Sequence, residues 1–217
     1  MSGTATVLPG DTLTVVVDGV LYTAGDGNLV DNNDRTWTLS IPVQNALAEN
    51  VFDVTASISD AAGNQSVDVS SNELLVDLTL PNTPTVESLL TNSATPTIVG
   101  QATVLAGEVL SVNVNGISYT AGDGSLVLNP DGTWALTIPA NSALPEGPLN
   151  VVATVIDAAG NSASDATVNE LLIDLTAPVM PSFGGQLENT STPILSGEID
   201  LQPGDVFTVT VLSLIHI

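Results

Sequence analysis

The hexapeptide Tyr22-Thr-Ala-Gly-Asp-Gly27 recurs as Tyr119-Thr-Ala-Gly-Asp-Gly124, 97 residues further along the chain. The same interval carries Trp37 to Trp134 and Asp60-Ala-Ala-Gly-Asn64 to Asp157-Ala-Ala-Gly-Asn161. It also carries Asp77-Leu-Thr-Leu-Pro81 to Asp174-Leu-Thr-Ala-Pro178. Gly3, Gly100 and Gly197 extend the register into a third copy, as do Gly10, Gly107 and Gly204. A constant interval without insertions means that one supersecondary unit is repeated along the chain. The copies divide it into residues 1–81, 82–178 and 179–217, one complete repeat between two incomplete ones. The first copy lacks the equivalent of residues 82–97, and the third is expected to hold only its first two strands.

Each copy reads as strands. In the middle copy Val109-Leu-Ser-Val-Asn-Val114 alternates, which places Leu110, Val112 and Val114 on an inward face. Asn115-Gly116 follows as a hairpin turn, because both residues tolerate positive φ, and Asn129-Pro-Asp-Gly132 makes a second tight turn. Strands are predicted over residues 96–103, 109–114, 117–121, 125–128, 133–138, 149–156 and 169–175. No helical period competes with them. Short strands at this spacing predict an all-β chain of immunoglobulin-like seven-strand β-sandwiches arranged end to end. Trp37 and Trp134 are expected in the cores between sheets. Exposed on one face, they would instead suit a carbohydrate-binding module.

Composition narrows the function. Twenty-four acidic residues face one basic residue, Arg35, for a net charge of −23. Such a chain repels nucleic acids and anionic membrane surfaces and attracts cations. No run of 18 apolar residues exists to span a bilayer, and the N-terminus has no charged segment of the signal-peptide kind. Cysteine and lysine are both absent, so neither a disulfide nor a Lys–Asn isopeptide bond can staple the repeats. A metal is the remaining device.

The same absences leave no nucleophile or general base beyond carboxylates, and the chain is expected not to be an enzyme. The acids sit in repeated turns rather than in one cleft. The single histidine, His216, falls in Leu212-Ser-Leu-Ile-His-Ile217, which breaks the repeat where Asn-Gly-Ile-Ser-Tyr-Thr should stand. That hexapeptide resembles a translated sequencing adapter and is expected to be extraneous.

The Asp-Ala-Ala-Gly-Asn turn, the Asp131-Gly-Thr-Trp134 hairpin and the Asp174-Leu-Thr-Ala-Pro178 ending resemble the bacterial Ig-like repeats of large surface adhesins and biofilm-associated proteins. In the first copy Asn33-Asp-Arg-Thr-Trp37 departs from the hairpin pattern. The resemblance implies an extracellular stalk on the bacterial surface whose partners are the adjacent repeats of the same chain. Carbohydrate or homophilic cell-surface contacts are further partner classes. In several such adhesins it also implies Ca²⁺ at domain junctions.

Calcium takes six to eight oxygens from carboxylates, amides and backbone carbonyls. Counting alternating strands from residue 96 puts the turns at 115–116, 129–132 and 157–161 at the pole facing the preceding repeat. Asp157 and Asn161 should therefore meet Asp77, which ends the first repeat, with Asp131 or Asn115 as helpers. Asp60 and Asn64 form the matching half-site toward an upstream repeat, and Asp174 the matching half-site toward a downstream one. The competing expectation is turn chemistry alone, in which each Asp binds its own backbone.

Overall fold

The computed structural model describes residues 1–212, so the departure from register at 212–217 lies, apart from Leu212, outside the described residues, and His216 with it. The middle repeat is a two-faced sandwich. One face is an antiparallel sheet in the order Thr85–Val86, Thr97–Gln101, Thr133–Thr137, Leu126–Leu128. The other runs Ile117–Thr120, Val109–Val114, Val151–Ile156, Ser162–Ser164. A short ladder continues the second face, with Leu171–Ile173 between Gly147–Leu149 and Leu89–Thr91. All its pairings are antiparallel except that of Leu89–Thr91 with Leu171–Ile173, which is parallel.

The alternation read from Val109–Val114 is realised: Leu110, Val112 and Val114 are fully buried, and Val151, Ala153 and Val155 of the neighbouring strand pack beside them. Trp134 is fully buried between the sheets. Its cross-strand partner is Gly100, where an added Cβ would lie 2.5 Å from the indole Cζ2 and 2.0 Å from the Thr85 carbonyl oxygen. Glycine there lets the indole lie flat against one strand while a second strand closes over it. Trp37, Tyr22 and Tyr119 are buried as well. The Trp and Tyr residues are core residues, as the sandwich expectation required.

The first repeat builds the same sheets from Thr12–Val17, Val20–Thr23, Leu29–Asp31, Thr36–Leu39, Val54–Ser59 and their neighbours, around a core of Leu13, Val15, Leu29, Trp37 and Leu39. In the third copy Ser182–Phe183 pairs with Gly197–Glu198, the register of Thr85–Val86 on Gly100–Gln101. Residues 206–211, expected as its next strand, form no ladder, and Phe207, Val209 and Val211 are exposed. No second sheet is present among the described residues to pair them or cover them.

Two expectations need correction. Ser162–Ser164, just after the turn at 157–161, forms a short strand outside the predicted set, and residues 85–91 form an opening strand that the sequence did not announce. It is two short pieces, Thr85–Val86 and Leu89–Thr91, with a crossing between sheets and too little alternation to show a period. The opening strand also reverses part of the pole assignment. Val109 pairs with Ile156 and Val114 with Val151, so Asn115 lies at the opposite end of the strand from Asp157 and cannot assist it. The turn at 102–108 takes its place at the pole of Asp157. Asp131 stays at that pole, because Thr133 pairs with Gln101 at the entrance to the same turn.

Candidate junction site between repeats

The Asp157-Ala-Ala-Gly-Asn161 turn is closed by its own first side chain. Asp157 Oδ1 accepts the N–H groups of Gly160 at 2.7 Å and Asn161 at 2.8 Å, while Oδ2 accepts the Asn161 amide at 2.9 Å. Gly160 has φ +96°, a value that lets Asn161 fold back over the aspartate. The Asn161 amide holds the Asp157 carboxyl below its ordinary 3.8 against the opposing effect of desolvation, and the N–H groups of Asn161, Gly160 and Ala159 add to this.

The equivalent turn of the first repeat has the same interior. Asp60 Oδ1 accepts the N–H groups of Ala62 and Asn64, each at 2.9 Å, and Oδ2 accepts the Asn64 amide at 2.7 Å. The Asn64 amide is the main reason that Asp60 too is held below 3.8. Turn chemistry is therefore complete in both repeats, whether or not a neighbour is present.

The two turns differ in what lies beyond them. Asn161 Nδ2 also donates to the Asp77 carbonyl oxygen at 2.9 Å, a bond from the middle repeat to the end of the first. Asn161 thus joins Asp157 to the backbone of Asp77, while the Asp77 carboxylate turns to its own linker. Asp77 Oδ1 accepts the Thr79 N–H at 3.1 Å, and the Thr79 hydroxyl donates to the Glu49 carboxylate at 2.8 Å. A continuous hydrogen-bonded run therefore crosses the junction: Glu49, Thr79, Asp77, Asn161, Asp157.

Glu49 and Thr79 were missed by the sequence reading. The signal was available in the repeat interval, which maps them onto Glu146 and Thr176. There the Thr176 hydroxyl donates to Glu146 at 2.7 Å and the Thr176 N–H to Asp174 at 3.0 Å. Asp174 thus carries the same local arrangement at the far pole. Asp131 is absorbed in its own hairpin, where its carboxylate accepts both the N–H and the hydroxyl of Thr133. That pairing holds Asp131 below 3.8.

As an oxygen cluster the junction is part-built. Asn161 Nδ2 sits 2.9 Å from both Asp157 Oδ2 and the Asp77 carbonyl. Turning the amide over would aim its Oδ1 at the same point and gather three oxygens there, half the lower limit for Ca²⁺. Among the described residues, no group of three or more His, Cys, Asp or Glu side chains converges in metal-binding geometry. None of the described helices is long and apolar enough to cross a membrane.

A sequence-family model described as the bacterial Ig-like domain matches residues 83–175. No curated protein matches the chain. Among solved structures, the 1.5-MDa bacterial ice-binding adhesin studied for host cell surface retention is 22% identical with a TM-score of 0.38. The match covers 79% of this chain and 57% of that one. A tetra-tandem repeat from the extending region of a large adhesion protein is 25% identical with a TM-score of 0.35, covering 85% of this chain and 47% of that one. A chimeric titin Z1Z2 tandem is 18% identical with a TM-score of 0.32, covering 80% and 89%. The chain thus spans about half the length of the two adhesin chains. The family match covers the complete sandwich, and the 97-residue register continues on both sides of it. Residues 83–175 thus match the bacterial Ig-like domain family over the whole middle repeat, and the partial copies beside it are written in the same register.

Proposed function

We propose that these repeats are non-catalytic spacers in the stalk of an extracellular bacterial surface adhesin, setting length for cell adhesion or biofilm formation, with junctions stiffened by Ca²⁺. The observation that carries this is the bond from Asn161 to the Asp77 carbonyl, which fixes the middle repeat on the first through a turn that both of these copies contain. An array of similar units with a recurring junction holds its ends apart. The burial of both tryptophans speaks against the carbohydrate-binding alternative, which needs an exposed aromatic platform.

The ion's role follows from charge. Glu49, Asp77 and Asp157 line one junction in a chain with a net charge of −23. A cation held by Asp157, the Asn161 amide oxygen and Asp77 would offset their repulsion, with water completing the shell. Asp131 lies at the same pole as a further donor. Asp60 with Asn64, and Asp174, are half-sites that need a neighbouring repeat before they can hold an ion.

Titration calorimetry of the full chain with Ca²⁺, alongside small-angle scattering with and without chelator, tests the proposal. One dominant site is expected, lost in Asp157→Ala and kept in Asp60→Ala, with a longer maximum dimension when Ca²⁺ is present. No binding, or equal binding by both variants, removes calcium from the account. An unchanged maximum dimension removes its stiffening role.

A further inference from the structure

Residues 165–170 carry the middle repeat from the edge strand Ser162–Ser164 to the closing ladder at Leu171–Ile173. Asp165 is tied to the sheet it leaves, its N–H donating to the Ala153 carbonyl at 2.9 Å. Asn169, at φ +60°, donates its N–H to Asn150 Oδ1 at 2.8 Å. Asparagine tolerates that left-handed value, and the side chain that follows it, Glu170, turns into the sandwich. Glu170 is 4% exposed and is the one buried acidic side chain among the described residues.

The two oxygens of the Glu170 carboxylate differ. Oε2 accepts the Val151 N–H at 3.0 Å, whereas Oε1 is buried with no partner among the described residues. The Thr167 hydroxyl lies beside this carboxylate. A hydroxyl has one proton to give, and Thr167 gives it to Asp165 Oδ2 at 2.5 Å. Burial works to raise the Glu170 carboxyl, and the Val151 N–H, the Glu170 N–H and the Thr167 hydroxyl together hold it below its ordinary 4.5. Two carboxylates therefore flank one hydroxyl, and one of them is enclosed. An ionised carboxylate taken out of water is costly unless donors or a cation satisfy it. The middle repeat has no lysine, arginine or histidine, and the one arginine of the chain, Arg35, lies in the first repeat. A compensating charge has to come from solution.

The first repeat holds the same trio at the same spacing. The Ser70 hydroxyl donates to Asp68 Oδ2 at 2.7 Å, Glu73 Oε2 accepts the Val54 N–H at 2.9 Å, and Asn72 stands at φ +64°. The Val54 N–H is the main influence lowering the Glu73 carboxyl, and the Asp68 charge opposes it. The arrangement is therefore a property of the repeat and not of one loop.

We infer that Asp165, Thr167 and Glu170 form an internal site for a hard divalent cation, Ca²⁺ or Mg²⁺, separate from the junction. Carboxylate and hydroxyl oxygens are the donors such ions select, and two carboxylates call for two positive charges. Glu170 Oε1 supplies the inner ligand. Asp165 is half-buried and Thr167 exposed, so the outer positions are open to water. Thr167 can offer a lone pair to the ion while its proton stays on Asp165. An ion held here ties the segment that leads into the last strand to the strand that begins at Val151. It stabilises the repeat from within, with or without a neighbour.

Amide-resolved NMR of the isotope-labelled full chain tests this, with CaCl₂ and MgCl₂ added in separate titrations against KCl at matched ionic strength. Saturable shifts are expected at Val151, Thr167 and Glu170 with at least one of the divalent ions and not with KCl. The Asp157→Ala chain should keep them, so this site and the junction stand or fall separately. Glu170→Gln and Asp165→Asn remove one charge each and should weaken binding by about ten-fold or more, since even the partners of metal ligands are worth that much. Asp165→Asn changes a half-buried side chain and decides the matter where Glu170→Gln does not fold. No saturable shift with either ion, equal shifts with KCl, unchanged affinity in Asp165→Asn, or loss of the shifts in Asp157→Ala would each overturn the inference.

Discussion

Replacing Gly100 with alanine should damage the middle repeat more than the matching change at Gly3 damages the first, and the difference measures the opening strand. The new Cβ at Gly100 would lie 2.5 Å from Trp134 Cζ2 and 2.0 Å from the Thr85 carbonyl oxygen. Trp134 is fully enclosed, so its ring can yield only by distorting the core, which costs about 1–3 kcal/mol for one added methyl. The Thr85 carbonyl belongs to the opening strand, which must lift away. Val86 and Leu89 are each about half-buried against the core. Losing half the burial worth of a Val and a Leu costs about 2 kcal/mol together.

The expected loss for Gly100→Ala is therefore about 3–5 kcal/mol. At Gly3 the three atoms nearest the Cβ all belong to the Trp37 ring, at 2.5 to 2.8 Å, and none to an opening strand. About 1–3 kcal/mol is expected there. Urea unfolding followed by tryptophan fluorescence separates the repeats, because each holds one tryptophan. Trp37→Phe leaves Trp134 as sole reporter for the middle repeat, and Trp134→Phe leaves Trp37 for the first. Equal losses at the two glycines, or a loss below about 1 kcal/mol for Gly100→Ala, would refute the role given to the opening strand.

Three further outcomes are expected. Arg35 has φ +74° at the position where the middle repeat has Gly132 at +85°, so Arg35→Gly should stabilise the first repeat by about 0.5–1 kcal/mol in urea melts. Tyr22 Oη accepts the Asn45 amide at 3.0 Å, whereas Tyr119 Oη is buried without a partner among the described residues, where Ser142 replaces the asparagine. Ser142→Asn should restore that bond and raise the stability of the middle repeat by about 1 kcal/mol. For acid, the folded-state pKa values of Asp60 and Asp157 lie below 3.8 through the Asn64 and Asn161 amides, and those of Asp26 and Asp123 through the Leu29 and Leu126 N–H groups. Their stabilisation is complete above 3.8 and is lost as pH falls through the depressed values. Thermal scans should show a falling Tm below about pH 4. A Tm rising there would mean that relief of the −23 charge dominates.

Periodicity made the middle of each repeat legible. The alternating run Val109–Val114, the Asn115-Gly116 turn and the core placement of Trp134 follow from local patterns that a half-buried strand imposes. The turn at Asp157 was legible for the same reason, since its hydrogen bonds lie within five residues of sequence. The opening strand was not, because Val86 and Leu89 face the core from two separate pieces and the residues between them cross from sheet to sheet. Missing that strand moved Asn115 to the wrong pole. Glu49 and Thr79 meet across 30 residues through a hydroxyl-to-carboxylate bond; the repeat interval marks both positions, at Glu146 and Thr176, but the fold is what pairs them. The contact between Asn161 and Asp77 could be anticipated because the linker is short and both residues end ordered elements.

The parallel pairing of Leu89–Thr91 with Leu171–Ile173 has a mechanical consequence. These are the first and last strands of the sandwich, and both run from the pole of the preceding repeat to the pole of the next. Tension along the chain drags the first strand backward and the last one forward, so the ladder is loaded in shear. The bonds from Leu89 N–H to the Glu170 carbonyl and from Asp174 N–H to the Thr91 carbonyl then bear load together rather than opening one after another. A repeat tethered in this way yields abruptly or not at all, and its resistance to pulling is set by a few backbone bonds rather than by the bulk of its core.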